Sequence, residues 1–202
     1  MKYDLILAGV GGQGILSIAF VVDNAALKLG LHFKQSEVHG MAQRGGAVSS
    51  HLRLADAPIF SDLVPLGGAD MILSVEPMEA LRYKQYLKPQ GVFVSSSSPF
   101  VNIPDYPAPE AVLTTLKARP GTVLVDADAL AKQAGSPRAQ NMVMLGAASP
   151  RLPLSQEVME EFIGVLFGKK GEKIVAANVA AFRAGRAAAL ESIHHQPALA
   201  VK

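Results

Sequence analysis

The chain of 202 residues contains no cysteine. This absence excludes disulfides, thiolate metal sites, cysteine-held iron–sulfur clusters and cysteine nucleophiles within the chain. Any electron-transfer centre that works with this chain must therefore belong to a partner.

Other absences narrow the class of protein. No apolar run approaches the roughly 20 residues of a membrane span, and the chain does not start with a basic region that leads into an apolar stretch. We therefore expect a soluble, cytoplasmic protein. The net charge is only +2 and no Lys or Arg run exceeds Lys169-Lys170, so the chain lacks the basic surface that binds nucleic acid. Because 50% of the residues are hydrophobic, we expect another subunit to cover part of the surface.

The length fits one large domain that buries roughly 70% of its unfolded surface, and we assign it to residues 1–193, followed by a flexible tail at 194–202. Apolar runs predict strands at 3–8, 31–35, 47–54, 71–75, 91–95 and 122–126. Helical patterns cover 14–29, 77–87 and 108–118, and then 127–134, 140–148, 155–167 and 172–193.

These elements predict an α/β fold, Rossmann-like, with a mainly parallel sheet, helices on both faces and a helical C-terminal part. Several strand runs are continuously apolar rather than alternating, as strands covered on both faces are. The first helix is apolar almost all round and is expected to be central. Ser95 to Pro109 is the one long loop, and loops of that length are functional or mobile.

A glycine-rich turn connects the first strand to the first helix. Glycines 9, 11 and 14 of Gly9-Val10-Gly11-Gly12-Gln13-Gly14 spell G-x-G-x-x-G between a strand and a helix. Such glycines allow a tight turn and close strand–helix packing. The backbone N–H groups at the start of the helix can also hold an anion. The turn alone does not decide between packing and ligand binding.

A second glycine-rich segment runs from Ser36 to Gly46. It brings Arg44, His39 and Glu37 together with the backbone donors of three glycines. The segment follows a predicted strand, and open parallel sheets bind their ligands at the carboxyl ends of their strands. An alternative is a structural loop in which Arg44 pairs with Glu37. Glu37 also corresponds roughly to the acid that binds ribose in dinucleotide-binding proteins. His39 has no second ligand at helical spacing for a metal, and His194-His195 is read as a solvated helix end.

The two motifs, in this order, carry a resemblance to a known family. Together with Gly67-Gly68-Ala69-Asp70 through Glu76-Pro77, with Glu79 and Arg82, and with the segment from Asn141 to Ala147 and Asn178, the chain resembles the gamma subunits and domains of 2-oxoacid:ferredoxin oxidoreductases. The similarity runs from about residue 3 to about residue 185. Within that family the chain looks most like the beta subunits of the indolepyruvate ferredoxin oxidoreductases.

The resemblance implies a helper role. In this family the large partner subunit carries thiamine diphosphate, its Mg and the iron–sulfur clusters, coenzyme A is a co-substrate and ferredoxin accepts the electrons. The small subunit is inactive alone and completes the assembly for oxidative decarboxylation to an acyl-CoA. The residues at 36–46 favour indolepyruvate or another aryl-pyruvate as the substrate. A second copy of the chain is a further candidate partner.

Candidate site residues follow from both lines of reasoning. His39 and Glu37 are the catalytic candidates, and with Arg44 they are expected at the contact with the catalytic subunit. Ligand- or partner-binding candidates are Gly9, Gly11, Gly12, Gln13, Gly14, Ser36, Arg44, Gly45, Gly46, Glu76 and Asn141. No metal site is expected. A free-standing NAD(P)-dependent dehydrogenase and a nucleotide- or phosphate-binding module remain as alternatives.

Overall fold

The computed structural model describes residues 1–38, 45–101 and 103–196. Its centre is a six-stranded sheet with the order β2-β3-β1-β4-β5-β6. The strands are β1 (Lys2–Val10), β2 (His32–Val38), β3 (Ala47–Ala55), β4 (Ala69–Ser74), β5 (Leu87–Ser96) and β6 (Val123–Val125).

The sheet is mixed rather than uniformly parallel. The pairings β1 with β4, β4 with β5 and β5 with β6 are parallel, whereas β3 is antiparallel to both β1 and β2. The α/β class and the parallel majority are confirmed, and the predicted strands are present with shifted ends. The reversed direction of β3 was not predicted. It means that β2 and β3 form an antiparallel pair, with β3 in the place next to β1.

Seven α-helices accompany the sheet in the described part of the chain. They are α1 (Ile15–Lys28), α2 (Pro77–Arg82), α3 (Pro109–Lys117), α4 (Ala127–Gln133), α5 (Gln140–Ala148), α6 (Gln156–Phe167) and α7 (Glu172–His194). On one face, α1 and α4 to α7 build the larger core against side chains such as Leu5, Leu7 and Leu52. On the other face, α2 and α3 pack around Ile6, Ile72 and Phe93. Helices on both faces are therefore confirmed.

The central helix is α5, not α1. Every residue of α5 from Asn141 to Ala148 is buried. In contrast, α1 leaves Leu16 50% and Leu27 64% exposed. The apolar composition of α1 therefore reflects surface as well as core.

The crossing of α5 and α7 brings two main chains into contact. A Cβ built on Gly146 would lie 1.8 Å from the carbonyl oxygen of Phe182, and one built on Gly185 would lie 1.9 Å from that of Val143. No side chain larger than hydrogen fits at either position. Arg186 adds a bond of 2.8 Å to the hydroxyl of Ser149 beside this crossing.

The second predicted helix and the loops show further differences from the sequence prediction. The helix predicted at 77–87 ends at Arg82, and a 3₁₀ turn follows at Lys84–Tyr86. The loop predicted from Ser95 begins after Ser96, where β5 ends. It is not the one long loop, because residues 56–68 connect β3 to β4 without a helix or strand.

Buried polar side chains fix the loop at 56–68 to the sheet. Arg53 pairs with the fully buried Asp4 at 2.9 Å and donates to the carbonyls of Ser61 and Leu63, both at 3.0 Å. The Nδ1 atom of His51 accepts a bond of 3.0 Å from the backbone N–H of Val64. Burial lowers the pKa of His51, which agrees with a neutral ring in an acceptor role.

Candidate functional site

Most of the predicted site residues lie at one edge of the sheet. Strands β1, β2, β4, β5 and β6 run in the same direction, so their carboxyl ends share this edge, which we call the carboxyl edge. The glycine turn follows β1, the second glycine-rich segment follows β2, and Glu76 follows β4. Ligands of open α/β sheets bind outside such ends.

The glycine turn is closed by one of its own side chains. The Oε1 atom of Gln13 accepts a bond of 2.8 Å from the backbone N–H of Val10, and the N–H of Gln13 donates back to the carbonyl of Val10 at 3.1 Å. Gly12 and Gly14 have φ values of 100° and 75°, which favour glycine. A Cβ on Gly9 would lie 2.8 Å from Oε1 of Gln13. The side-chain oxygen of Gln13 thus stabilises the conformation of the turn.

The two glycine-rich segments meet through backbone hydrogen bonds. The N–H of Gly11 donates to the carbonyl of Gly46 at 2.8 Å, and the N–H of Gly45 donates to the carbonyl of Gly11 at 3.4 Å. These bonds extend the ladder of β1 and β3, which ends at the pair Val10 and Ala47. The sequence placed both segments at one edge, and the structure joins them into one surface.

Asn141 connects the glycine turn to the central helix. Its Nδ2 atom donates to the carbonyl of Gly14 at 3.1 Å, and its Oδ1 atom accepts from the N–H of Met142 at 3.0 Å. A Cβ on Gly14 would lie 2.5 Å from Nδ2 of Asn141. The predicted residues Gly14 and Asn141 are therefore in contact although they lie far apart in the chain.

No side chain caps the start of α1. Gly14 is its N-cap and supplies no side chain, and the first turn contains no acidic residue. Free N–H groups at a helix start carry about half a positive charge. Leu16 is half-exposed beside them. The turn thus offers backbone donors next to an apolar side chain.

Glu76 is buried and bonded within the chain. It is 1% exposed, and its Oε2 atom accepts a bond of 2.8 Å from the N–H of Glu79. Its Oε1 atom accepts from the N–H of Phe100 at 3.3 Å and from the hydroxyl of Tyr106. Burial, together with this bond to Glu76, raises the pKa of Tyr106. Glu76 therefore anchors the loop at 97–108 to the carboxyl edge.

The anchored loop presents apolar side chains to solvent. Phe100 is 48% exposed, Val101 65% and Ile103 39%. Together with Leu16, which follows β1 at the same edge, we call these side chains the apolar rim of the carboxyl edge. Exposed apolar side chains that gather on one part of a surface mark protein interfaces. Sequence reasoning missed the contact between Glu76 and Tyr106, because nothing local in the sequence links two residues that lie on separate elements.

The residues of the second glycine-rich segment are only partly described. Arg44 and His39, with 40–43, lie outside the described residues. Ser36 and Glu37 lie at the end of β2, where Ser36 is opposite His51 and Glu37 is opposite Ser50. The carboxylate of Glu37 accepts a bond of 2.5 Å from Gln35.

The topology disagrees with a dinucleotide-binding unit. In that unit the second strand lies beside the first and carries the acid for the ribose. Here β3 lies between β2, which carries Glu37, and β1. The roughly predicted ribose-binding position of Glu37 is therefore not adjacent to the glycine turn.

Asp23 is a buried acid that sequence reasoning did not single out. It lies on α1, it is 6% exposed, and its Oδ1 atom finds no hydrogen-bond partner in the described part of the chain. Burial, and secondly the negative charge of Glu37, raise its pKa to about 7. An acidic residue in an otherwise apolar helix was the signal that could have marked it.

The donor set of the chain does not fit a metal cofactor. No cysteine is present, and within residues 1–38, 45–101 and 103–196 no three His, Asp or Glu side chains gather in a way that could hold a metal ion. We therefore assign no step of any reaction to a cofactor held by these residues. Among the same residues, no helix has the length and apolar character to cross a membrane.

Comparison with known proteins decides the family. The model of the pyruvate ferredoxin/flavodoxin oxidoreductase family matches residues 4–188. The chain belongs to this family. It is 38% identical to the indolepyruvate oxidoreductase subunit IorB of Pyrococcus horikoshii, over 96% of this chain and 98% of that protein. The resemblance stated from the sequence is confirmed.

Solved structures of the family share the fold. The gamma subunit of a keto/oxoacid ferredoxin oxidoreductase from Geobacter sulfurreducens superposes with a TM-score of 0.71 at 26% identity, covering 95% of this chain and 98% of that one. The 2-oxoglutarate:ferredoxin oxidoreductase of Magnetococcus marinus, solved with 2-oxoglutarate, coenzyme A and succinyl-CoA bound, gives a TM-score of 0.74 at 26% identity. There the match covers 94% of this chain but 31% of that chain.

The relatives are subunits or parts of oxidoreductase complexes. This chain is accordingly a small subunit of the 2-oxoacid:ferredoxin oxidoreductase type, and its relatives imply a larger catalytic partner. Because the matching region forms about a third of the Magnetococcus marinus chain, what is a separate subunit here can be one region of a longer polypeptide. The alternatives of a free-standing dehydrogenase and a nucleotide-binding module lose their support.

Proposed function

We propose that this chain is the cofactor-free small subunit of a thiamine-diphosphate-dependent 2-oxoacid:ferredoxin oxidoreductase that acts on indolepyruvate or another aryl-pyruvate. The similarity to the Pyrococcus horikoshii indolepyruvate oxidoreductase subunit over nearly the whole of both chains is the observation that carries this proposal. Thiamine diphosphate, Mg and the iron–sulfur clusters are assigned to the large partner subunit, and ferredoxin reaches the chain only through the complex.

The chemistry of the reaction supports this division of labour. Oxidative decarboxylation of a 2-oxo acid needs a carbanion sink and an electron acceptor, which side chains do not supply. The chain has no cysteine to hold a cluster. The catalytic subunit must therefore bring the reactive groups, and this chain binds, orients and excludes water.

The carboxyl edge is the surface that we assign to the catalytic partner. Its apolar rim, Leu16 with Phe100, Val101 and Ile103, is exposed in the isolated chain and would lose water on assembly. At the same edge, the N–H groups at the start of α1 have neither a capping side chain nor an acidic residue in the first turn beside them. We assign to them an anionic group of a substrate, either the carboxylate of the 2-oxo acid or a phosphate of coenzyme A.

Arg44, His39 and Glu37 belong to the same proposal. A guanidinium can bind a carboxylate or phosphate through two parallel bonds, which a lysine cannot do. We expect Arg44→Ala to leave the chain folded and to weaken assembly or turnover about ten- to a hundredfold, since one charge-assisted bond contributes roughly 1.5–3 kcal/mol. Weaker association with normal saturated activity would identify an interface role, and the reverse a ligand role.

The experiment that tests the function is reconstitution. The chain and its large partner subunit are purified separately and mixed, and reduction of ferredoxin is followed with coenzyme A and indolepyruvate, pyruvate or 2-oxoglutarate. We expect turnover only from the mixture, with kcat/KM at least about tenfold higher for indolepyruvate than for the other two acids, a difference of about 1.4 kcal/mol. Turnover of the chain alone with NAD(P), or a mixture that forms no complex, would refute the proposal.

A matched pair of variants tests the assigned surface. Leu16→Gln removes an apolar side chain at the carboxyl edge, whereas Leu27→Gln makes the same change at the opposite end of α1, where the leucine is 64% exposed. A leucine that goes from fully exposed to fully buried contributes about 1.5–3 kcal/mol, so Leu16, which is 50% exposed in the isolated chain, can contribute about half of that on assembly. We therefore expect Leu16→Gln to weaken binding of the catalytic subunit about three- to tenfold and Leu27→Gln to bind normally. Equal effects of the two would place the interface elsewhere.

A further inference from the structure

We infer that Asn141 is a positioning residue that holds the glycine turn in the geometry needed for an anionic substrate group. The inference rests on the proposed function, because the turn is assigned there to the substrate. Its own evidence is the bridge that one buried amide makes between the starts of two helices.

The bridge uses both ends of the Asn141 amide. The N–H donor reaches the carbonyl of Gly14, which is the N-cap of α1, at 3.1 Å. The oxygen accepts the N–H of Met142 in the first turn of α5 at 3.0 Å. The side chain is 7% exposed, and the whole of α5 behind it is buried. Asn141 thus fixes the left-handed glycine at the start of α1 to the most buried helix of the fold.

The neutrality of the amide matters as much as its shape. The starts of α1 and α5 carry partial positive charges of the same sign, and neither first turn contains an acidic residue. A carboxylate at position 141 would keep the oxygen that accepts from Met142, and it would be favoured by the dipole of α5. It would also neutralise the positive potential at Gly14 and lose the donor to that carbonyl.

This contrast separates a positioning role from a structural one. Asn141→Asp is expected to weaken binding of the anionic substrate while α5 remains stable, because only the charge beside the turn and one hydrogen bond have changed. Asn141→Ala introduces no charge, but it removes the hydrogen bond that holds Gly14 in the turn. A purely structural amide would give variants that differ in stability and have the same KM.

Asn178 provides the matched control. It is also a buried asparagine, 4% exposed, and its Nδ2 atom also donates to a main-chain carbonyl, that of Ile174 at 2.8 Å. It lies on α7, and this bond stays within that helix. Asn178→Asp and Asn178→Ala therefore reproduce the loss of a buried amide donor without touching the start of α1.

The experiment reconstitutes each variant with the wild-type catalytic subunit at saturating subunit concentration. It measures kcat and the KM of coenzyme A and of the 2-oxo acid separately, and the thermal midpoint of each chain. For one of the two substrates we expect the KM to rise at least tenfold for Asn141→Asp and about threefold for Asn141→Ala, with kcat within twofold of wild type. The KM values of both Asn178 variants should match the wild type.

The outcomes distinguish the two proposals. If the wild-type mixture itself shows no 2-oxo-acid turnover, the proposed function fails. If it turns over and both KM values are unchanged in Asn141→Asp and Asn141→Ala, the positioning role of Asn141 is refuted. Should Asn141→Asp fail to fold, Asn141→Ala decides, and a KM change equal to that of Asn178→Ala refutes the inference.

Discussion

Substitution of the glycines at the crossing of α5 and α7 should strongly destabilise the fold. A methyl group on Gly146 would lie 1.8 Å from a main-chain oxygen of α7, and one on Gly185 would lie 1.9 Å from a main-chain oxygen of α5, whereas ordinary contacts begin at 3.4 Å. Because both obstacles are backbone rather than flexible side chains, the helices must separate by on the order of 1–2 Å, which a densely packed interior resists.

The size of the effect follows from two opposing contributions. Overpacking costs about 1–3 kcal/mol and sometimes more, whereas alanine is favoured over glycine in a helix by about 1 kcal/mol. Since α5 is the most buried helix and must move as a unit, we expect the overpacking cost of Gly146→Ala to lie at the upper end of this range or above it. After the gain in helix propensity, the net loss is then roughly 2 kcal/mol or more, a substantial part of the 5–15 kcal/mol that stabilises a typical domain. Gly185→Ala should behave alike.

Gly164 is the control for these variants. It lies inside α6, and a Cβ there would meet nothing within 4 Å. Gly164→Ala should therefore gain about 0.5–1 kcal/mol from helix propensity. Urea unfolding followed by far-UV circular dichroism measures all three. The double variant Gly146→Ala/Gly185→Ala should cost less than the sum, since one separation of the helices relieves both clashes. A Gly146→Ala chain as stable as Gly164→Ala would refute this packing.

Three further predictions concern buried polar groups. The pKa of Asp23 is raised from 3.8 to about 7, so the free energy of unfolding of the wild type should fall as pH rises between these values, by up to roughly 4 kcal/mol. Urea titrations of the wild type and of Asp23→Asn at pH 4 and pH 8 measure this loss. It would be contradicted if the two proteins changed in stability by the same amount between these pH values. Asp4→Asn should cost about 3–5 kcal/mol by leaving Arg53 buried without its partner, and Asp4→Asn/Arg53→Met should recover part of that loss in the same assay. Tyr106→Phe should cost about 1.5–3 kcal/mol, because it removes a bond to the Glu76 carboxylate, and hydrogen exchange should show faster opening of 97–108; unchanged exchange would show that Glu76 does not anchor the loop.

Sequence reasoning found the elements better than their pairing. Strand β1 and helix α1 were predicted within one or two residues, because apolar runs and the glycine turn are local signals. The direction of β3 is set by its neighbours. A usable clue was present, since parallel strands need a crossover of roughly a dozen or more residues and the segment from Val38 to Ala47 is too short for one. Pro58, Pro65 and Gly67 likewise marked the loop at 56–68.

The candidate site shows the same division. The glycines and Asn141 could be selected from the family motif. Gly14 is a glycine because the residue that begins α1 has a left-handed backbone conformation. The partnership of Glu76 with Tyr106, and that of Asn141 with Gly14, could not be derived, because each joins segments that only the folded sheet brings together. Asp23 could have been noticed as an acidic residue in a largely apolar helix, but its burial could not be predicted, because the apolar residues of α1 face both the core and solvent.

The edges of the sheet carry a consequence for how the subunit can be handled. At one edge β6 is only three residues long, which gives little template for another strand. At the other edge β2 spans His32–Val38 and, in the sheet that the structure describes, is the terminal strand next to β3; an edge strand of this length is a template for a foreign strand. Lys34 places a charge on that edge, but Phe33 is 37% exposed beside it. Aggregation of the chain when it is produced without its partner should therefore begin at β2, and the substitution Phe33→Lys should suppress it.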